Sequence, residues 1–378
     1  DTDIQADATY CYSVFAVDVA GNASAASAET CARTSWTTMS LGVQHPGAAV
    51  IALDANDTPW VAYKDRYYDS SKAEYRSRLQ IGAVMGSFQP ELANDSYAES
   101  YVWGEYTMDM ALDASGSAHI LHQSNPLPVS ERLDYVIRSD SSVDETAIQT
   151  SIGYLQDASL AIDQTGVLHA CVGFDNTLYY AETSTGSWVL TELDDLGGDS
   201  RGDNCSIAIA PDSSVHFTYL GFLTHDLWHL SDQSGAWAAD MVDQQSGTST
   251  NTVYHTSIIT DSSGFAHIAY AHDLTENDME YATNASGNWS TEKVDDSGTV
   301  GYRSDIVIDS QDRVAIVYEQ IDSGLRKLRN ASRASGAWEN YLVSTATTGP
   351  VSAEFDSTDT LHVVFANAGN ELTLMINR

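Results

Sequence analysis

The sequence is short of positive charge: 17 Lys and Arg stand against 53 Asp and Glu, for a formal net charge of −36. A field of that sign repels phosphate backbones and anionic lipid, which excludes nucleic acid and membrane insertion as modes of binding. It also weighs against acidic polysaccharides unless a local basic pocket or bound cations offset it. Long apolar runs are missing as well. None approaches the roughly 18 residues that a membrane-spanning helix needs. No charged leader with an apolar core opens the chain, and an export signal is expected upstream of Asp1. Cysteine is scarce, at four residues: Cys11, Cys31, Cys171 and Cys205. No pair is spaced C-x-x-C and no Cys/His spacing fits a zinc site. The even count fits two disulfides in an oxidising, extracellular compartment.

What is there is a repeat. An apolar strand ends in Asp, a tight turn follows, a second strand ends in an aromatic, and a fourth strand opens with Gly-x-Trp; Ser257 to Asp296 is the clearest copy. The turn Asp recurs at Asp54, Asp113, Asp163, Asp212, Asp261, Asp309 and Asp356, at intervals between 47 and 59 residues. That period is one propeller blade of four strands. Seven first strands predict an all-β, seven-bladed β-propeller over residues 34–378. The last copy supplies only three strands before Arg378. Trp36 lies 18 residues before Asp54, as Trp338 lies 18 before Asp356. The segment from Trp36 to Val43 is therefore expected to close the ring as the outer strand of the seventh blade, which removes an exposed edge.

Residues 1–33 do not follow the repeat. Their alternating Tyr10-Cys11-Tyr12-Ser13-Val14-Phe15-Ala16-Val17-Asp18 strand, the Ala20-Gly21-Asn22 turn and a Ser-rich return strand form a hairpin pattern. The pattern resembles the last two strands of a fibronectin type III domain. A hairpin centred on Gly21 sets Cys11 opposite Cys31, a pairing that suits a cross-strand disulfide. A lone hairpin is marginal in water, so it is either the remnant of a domain boundary or a device for self-assembly by strand addition. A second disulfide is expected between blades, from Cys171 to Cys205.

Chemistry is harder to locate. The His of the second strand recurs at His119, His169, His216, His267 and His362, and a residue repeated around a ring reads as packing. The turn Asp reads the same way, as a backbone hydrogen-bond acceptor. The turn resembles the Asp-box of sialidase-like propellers, but Ser-x-Asp-x-Gly-x-x-Trp is not matched and no arginine triad stands out. Residues that break the repeat gather in loops entering the first strand and leaving the second, on one face around the central funnel. His122, His255, His272, Tyr302 and Arg303 are the candidate catalytic groups there. Lys64, Arg66, Tyr67, Arg201 and His225 are the candidate ligand-binding groups, and His45 lies in the same zone. A His/Tyr/Arg set suits a polysaccharide lyase, in which Arg neutralises a uronate and His or Tyr moves protons. Blade five, His267 to His272, resembles lyase propellers of that kind. Arg201-Gly202-Asp203 matches an integrin-type tripeptide. Acidic pairs at Asp194-Asp195 and Asp295-Asp296, and Glu276-Asn277-Asp278, offer oxygen ligands for calcium, with no other cofactor indicated.

A propeller beside a fibronectin-like module resembles repeat-bearing secreted and surface proteins of bacteria. That resemblance implies a non-enzymatic binding, adhesion or assembly module that presents loops to a glycan or protein at the cell surface. A lyase-type enzyme is the second expectation, and a subunit of an extracellular filament the third.

Overall fold

In the computed structural model the chain is a seven-bladed β-propeller, described over 36–71, 74–94, 107–124, 131–139, 142–149, 155–175, 177–193, 203–221, 226–244, 255–272, 278–333, 336–377 and parts of 9–33. The inner strands of blades one to seven are Pro46–Leu53, Met108–Leu112, Leu155–Ile162, Asp203–Ile209, Thr256–Thr260, Thr299–Ile308 and Thr347–Phe355. Each opens a four-stranded antiparallel sheet. In the seventh sheet the outer strand is Trp36–Gln44, paired with Glu371–Asn377 in the register Trp36↔Asn377. Trp36 packs there against Val307, Val317 and Leu328 of blade six. Thr9–Tyr12 and Thr30–Arg33 pair with each other, and their register sets Cys11 opposite Cys31. Among the described residues no helix is long and apolar enough to cross a membrane.

The turns between first and second strands explain the Asp repeat. Asp113 Oδ1 accepts the amides of Ser115 and Ser117 at 2.8 and 2.9 Å. Asp54, Asp163, Asp261, Asp309 and Asp356 accept the amides two and four residues on in the same way. Blade four corrects the expected phase: its turn opens at Ala210, whose amide donates to the Ser214 carbonyl, and Asp212 lies within the turn. The fourth turn residue has positive φ throughout. It is glycine at Gly116, Gly166 and Gly264, but an aspartate at Asp57, Asp312 and Asp359. Each of those aspartates is useful. Ser262, Ser310 and Ser357 of the preceding blades donate their amides and hydroxyls to Asp312, Asp359 and Asp57 respectively. The junctions from blade five round to blade one are clamped by these pairs, on both sides of the closing sheet.

The repeated histidines are packing groups. His119, His169 and His267 each meet a third-strand tyrosine hydroxyl, Tyr135, Tyr180 and Tyr281, at 2.5–2.7 Å. The fourth-strand tryptophan of the next blade then seats on that tyrosine, Trp188 on Tyr135, Trp237 on Tyr180 and Trp338 on Tyr281. Cys171 and Cys205 form a disulfide joining blades three and four.

The inner strands face the central channel with unpaired amides, and a ring of short polar side chains satisfies several of them. Asp109 accepts from Leu160, Ser206 from Ile258, Ser257 from Ile306, Asp305 from Ala353 and Ser352 from Ile51, at 2.8–3.3 Å. Each acceptor belongs to the blade before its donor. Burial and mutual repulsion raise the carboxyls here. Asp305 is pushed up to about 6, and Glu354 to about 8 against the charges of Asp305 and Asp109.

Candidate functional site

Nine residues past each turn opening, the second strand carries a buried side chain: Tyr63, Val172, Tyr219, Tyr270, Tyr318 and Phe365. In blade two that place belongs to His122. It is 1% exposed and faces blade one. Its Nδ1 lies 3.2 Å from the Gln123 carbonyl, which fixes Nδ1 as the protonated nitrogen if the ring is neutral. Its Nε2 is buried with no hydrogen-bond partner among the described residues. Burial, then the charges of Lys64 and Arg132, push the imidazole down to about 3. The ring is neutral at ordinary pH, with a lone pair to spare.

The groups around it come from three strands. Lys64, 2% exposed, reaches from blade one to donate Nζ to the Gln123 carbonyl at 2.6 Å. Asp134 pairs with His122 across the sheet and is fully buried. Its carboxylate takes the Ser124 hydroxyl at 2.5 Å and meets the Arg132 guanidinium at 2.6 Å. Arg132 also lies 3.2 Å from Glu145. One ligand atom from each of His122, Asp134 and Glu145 falls within 4.8 Å of the others. The guanidinium of Arg132 already supplies a positive charge to both carboxylates of that set.

Other expected groups fall elsewhere. Arg303 ion-pairs with Glu319 of blade six at 3.1 Å, and Arg326 does so at 2.7 Å. Tyr67 lies beneath the Arg78 guanidinium, 4.4 Å from its ring centre. His255 is half-buried at the entry to blade five, and burial lowers its pKa. His45 has positive φ and its Nδ1 meets the Asn370 amide nitrogen at 2.6 Å. Arg201, His225 and the side chains of Arg66, His272 and Tyr302 lie outside the described residues, as do Asp194, Asp195, Glu276 and Asn277. Asp295 accepts the Tyr318 hydroxyl, and Asp278 and Asp296 pair with Lys293. These acids are engaged with protein donors.

Reading the sequence by residue type alone missed Arg132, Asp134, Glu145, Arg76 and Arg78. His122 had a signal: it is the one polar exception in an otherwise apolar or tyrosine series. The basic residues are also uneven. Seven of the 17 lie between Lys64 and Arg138, and six between Arg303 and Arg333. Most of the few cations of a strongly acidic molecule are thus gathered in blades one, two and six.

No protein-family description matches the chain, and no curated protein does. Among solved structures it is similar to an ulvan lyase of polysaccharide lyase family 25 bound to -[GlcA(1-4)Rha3S]-, at 12% identity and TM-score 0.58 over 89% of this chain and 93% of that one. A fungal alcohol oxidase of the AA5 family, in complex with copper, aligns at 11% identity and TM-score 0.57 over 91% and 76%. The α-L-arabinanase of Penicillium chrysogenum aligns at 11% and TM-score 0.50 over 90% and 98%. Identities this low speak to the fold. The first expectation, a non-enzymatic binding or assembly module, is overturned: the propellers that match over most of this chain include a polysaccharide lyase and an arabinanase.

Proposed function

We propose that the protein is an extracellular polysaccharide-active enzyme of the lyase type, working at the junction of blades one and two on the funnel face. The observation that carries this is His122, a neutral buried imidazole with an unpartnered Nε2, set beside the fixed cation of Lys64 and the Arg132–Asp134 pair. A lyase must remove the proton α to a uronate carboxylate, and the resulting enolate must be held by positive charge. His122 Nε2 is suited to take that proton. As the substrate carboxylate approaches, its negative charge favours the imidazolium and raises the basicity of His122 when it is needed. Lys64 and Arg132 are suited to stabilise the enolate. The glycosidic C4–O bond then breaks, the leaving oxygen takes a proton from the His122 imidazolium, and the new non-reducing end carries a C4–C5 double bond.

The Cys171–Cys205 disulfide supports the extracellular setting. The ladder of Thr9–Tyr12 with Thr30–Arg33 supports reading residues 1–33 as a fibronectin type III-like hairpin beside a propeller of residues 34–378.

The test is to incubate the protein with polyuronates and follow the ultraviolet absorbance of the unsaturated product. His122→Gln is expected to lower the rate 10²–10⁴-fold, the range lost with a general base. His119→Gln, three residues away and structural, should lower stability while leaving the rate of the folded protein near that of the parent. Failure of every polyuronate to gain a double bond, or full activity in His122→Gln, sinks the reading.

A further inference from the structure

Among the described residues blades one and six have the longest second and third strands, and both project past the closing blade between them. In blade one these are Pro59–Asp69 and Glu74–Ala83; in blade six, Val314–Asp322 and Leu325–Ser332; in blade seven, Leu361–Asn367 and Glu371–Asn377. Counted from their turn aspartates, the second strands end 15, 13 and 11 residues on, at Asp69, Asp322 and Asn367. At roughly 3.3 Å per residue, the walls stand about 13 and 7 Å above the floor of blade seven.

Strand alternation decides what each wall turns toward that floor. Tyr63 packs against Val364, Leu372 and Leu374 of blade seven. Asp65 and Tyr67 share its side, and so do their cross-strand partners Arg78 and Arg76. On the other wall, Leu328 packs against Val363 and Phe365 of blade seven, and its partner Glu319 is on the same side. Arg303 and Arg326 both bond that carboxylate, so they too flank blade seven. Four guanidiniums thus border the floor. Among the described side chains Asp65, Glu319 and Glu371 oppose them. In a chain with three acids for every base, this border carries a slight excess of bases.

We propose that the trough over blade seven, between the Arg76/Arg78 wall and the Arg303/Arg326 wall, is a binding cleft for a polyanionic glycan chain, specifically a uronate polymer. The inference rests on the polysaccharide reading above and extends it to where the uronate chain is held outside the catalytic junction. Several features fit such an occupant. Guanidinium forks match carboxylates in bidentate geometry. Tyr67, half-exposed under Arg78, presents a ring face against which a sugar can stack. Low-lying blade seven itself contributes Thr348, Asn367 and Asn370, neutral groups already linked through Thr348 Oγ1. The cleft borders blade one, and Lys64 leaves the opposite face of that blade toward His122, so one chain bound along the wall leads toward the proposed catalytic junction.

The test is affinity electrophoresis and calorimetry with polygalacturonate, and with neutral dextran as the uncharged probe. All proteins carry His122→Gln so that binding is read without turnover. Arg76→Gln/Arg78→Gln and Arg326→Gln, one variant per wall, are each expected to weaken polygalacturonate binding about tenfold and to flatten its salt dependence. Arg313→Gln, on the turn face, should leave binding unchanged. Melting temperatures identify a variant that has lost its fold, and the opposite wall then supplies an independent reading. Equal affinity for dextran, or unchanged affinity in both wall variants, overturns the cleft. The two proposals fail separately. Wall-dependent binding with no cleavage by the parent protein leaves the cleft and removes the enzyme. Cleavage with an unchanged KM in the wall variants removes the cleft and leaves the enzyme.

Discussion

The two faces of the disc obey different rules. On the turn face every blade solves the same problem in nearly the same way. A carboxylate or its backbone equivalent closes the turn, and in blades two, three and five a histidine behind it meets a tyrosine in the third strand. On the funnel face the blades diverge. The second strands of blades one and six run past those of the other blades, and the position that is tyrosine in four blades is His122 in blade two. Repetition marks the groups that hold the ring together, and departure from it marks groups free to do something else.

The largest expected effect separates the two faces outright. Replacing His122 removes turnover while barely moving the melting temperature, whereas Asp163→Ala on the turn face leaves turnover per folded molecule intact and costs about 1–3 kcal/mol of stability. Thermal melts paired with active-site titration check both halves. Next in size is the disulfide that joins blades three and four. Cys171→Ser/Cys205→Ser is expected to cost about 2–4 kcal/mol, the usual value for closing a loop of this order, seen as a lower denaturation midpoint.

Acidity sharpens the comparison within a single strand and turn. Burial opposes ionisation of Asp356, but donors from Thr358, His362 and Thr360 hold its carboxyl at about 2, below its ordinary 3.8. Its contribution to stability is present above pH 3.8 and is lost as pH falls toward 2. Glu354, two residues earlier and turned to the channel, is raised from 4.5 to about 8. Its protonated form is the one the fold favours, so its contribution is complete below pH 4.5 and is lost as pH rises through 8. Glu354→Gln is therefore expected to melt higher than the parent at pH 9 and level with it at pH 4. Melting curves at the two pH values decide it; equal curves at pH 9 contradict the shift. The smallest effect concerns the clamps. Asp359→Gly gives up the bonds from Ser310 but relieves a positive φ that glycine tolerates, so the two changes nearly offset, within about 1 kcal/mol. Differential melting of that variant against Asp356→Ala, where nothing offsets the loss, checks the difference.

The ring was legible in the sequence because a blade is a local object. One Asp, one turn and one aromatic per blade fix its phase, and even the closing strand announced itself through Trp36. The exception is blade four, where Asp212 imitates the signal two residues late because the Ala210 backbone does the turn's work. The site was not legible for the opposite reason. Lys64, His122 and Asp134 meet only through the packing of blade two on blade one and the register of His122 with Asp134. Neither distance is written in spacing. Arg76 and Arg78 became significant only once strand length and alternation showed which neighbour they face.

The pairing of Trp36 with Asn377 joins points 341 residues apart along the chain. Contacts of that span are the slowest to form, because a long loop must be closed before any energy is returned. Six sheets can assemble from neighbours alone, but the seventh waits for both ends of the ring to meet. The propeller is in this sense a band with a buckle. A cut made in any turn, with the present ends joined, would leave every blade intact and move only the buckle.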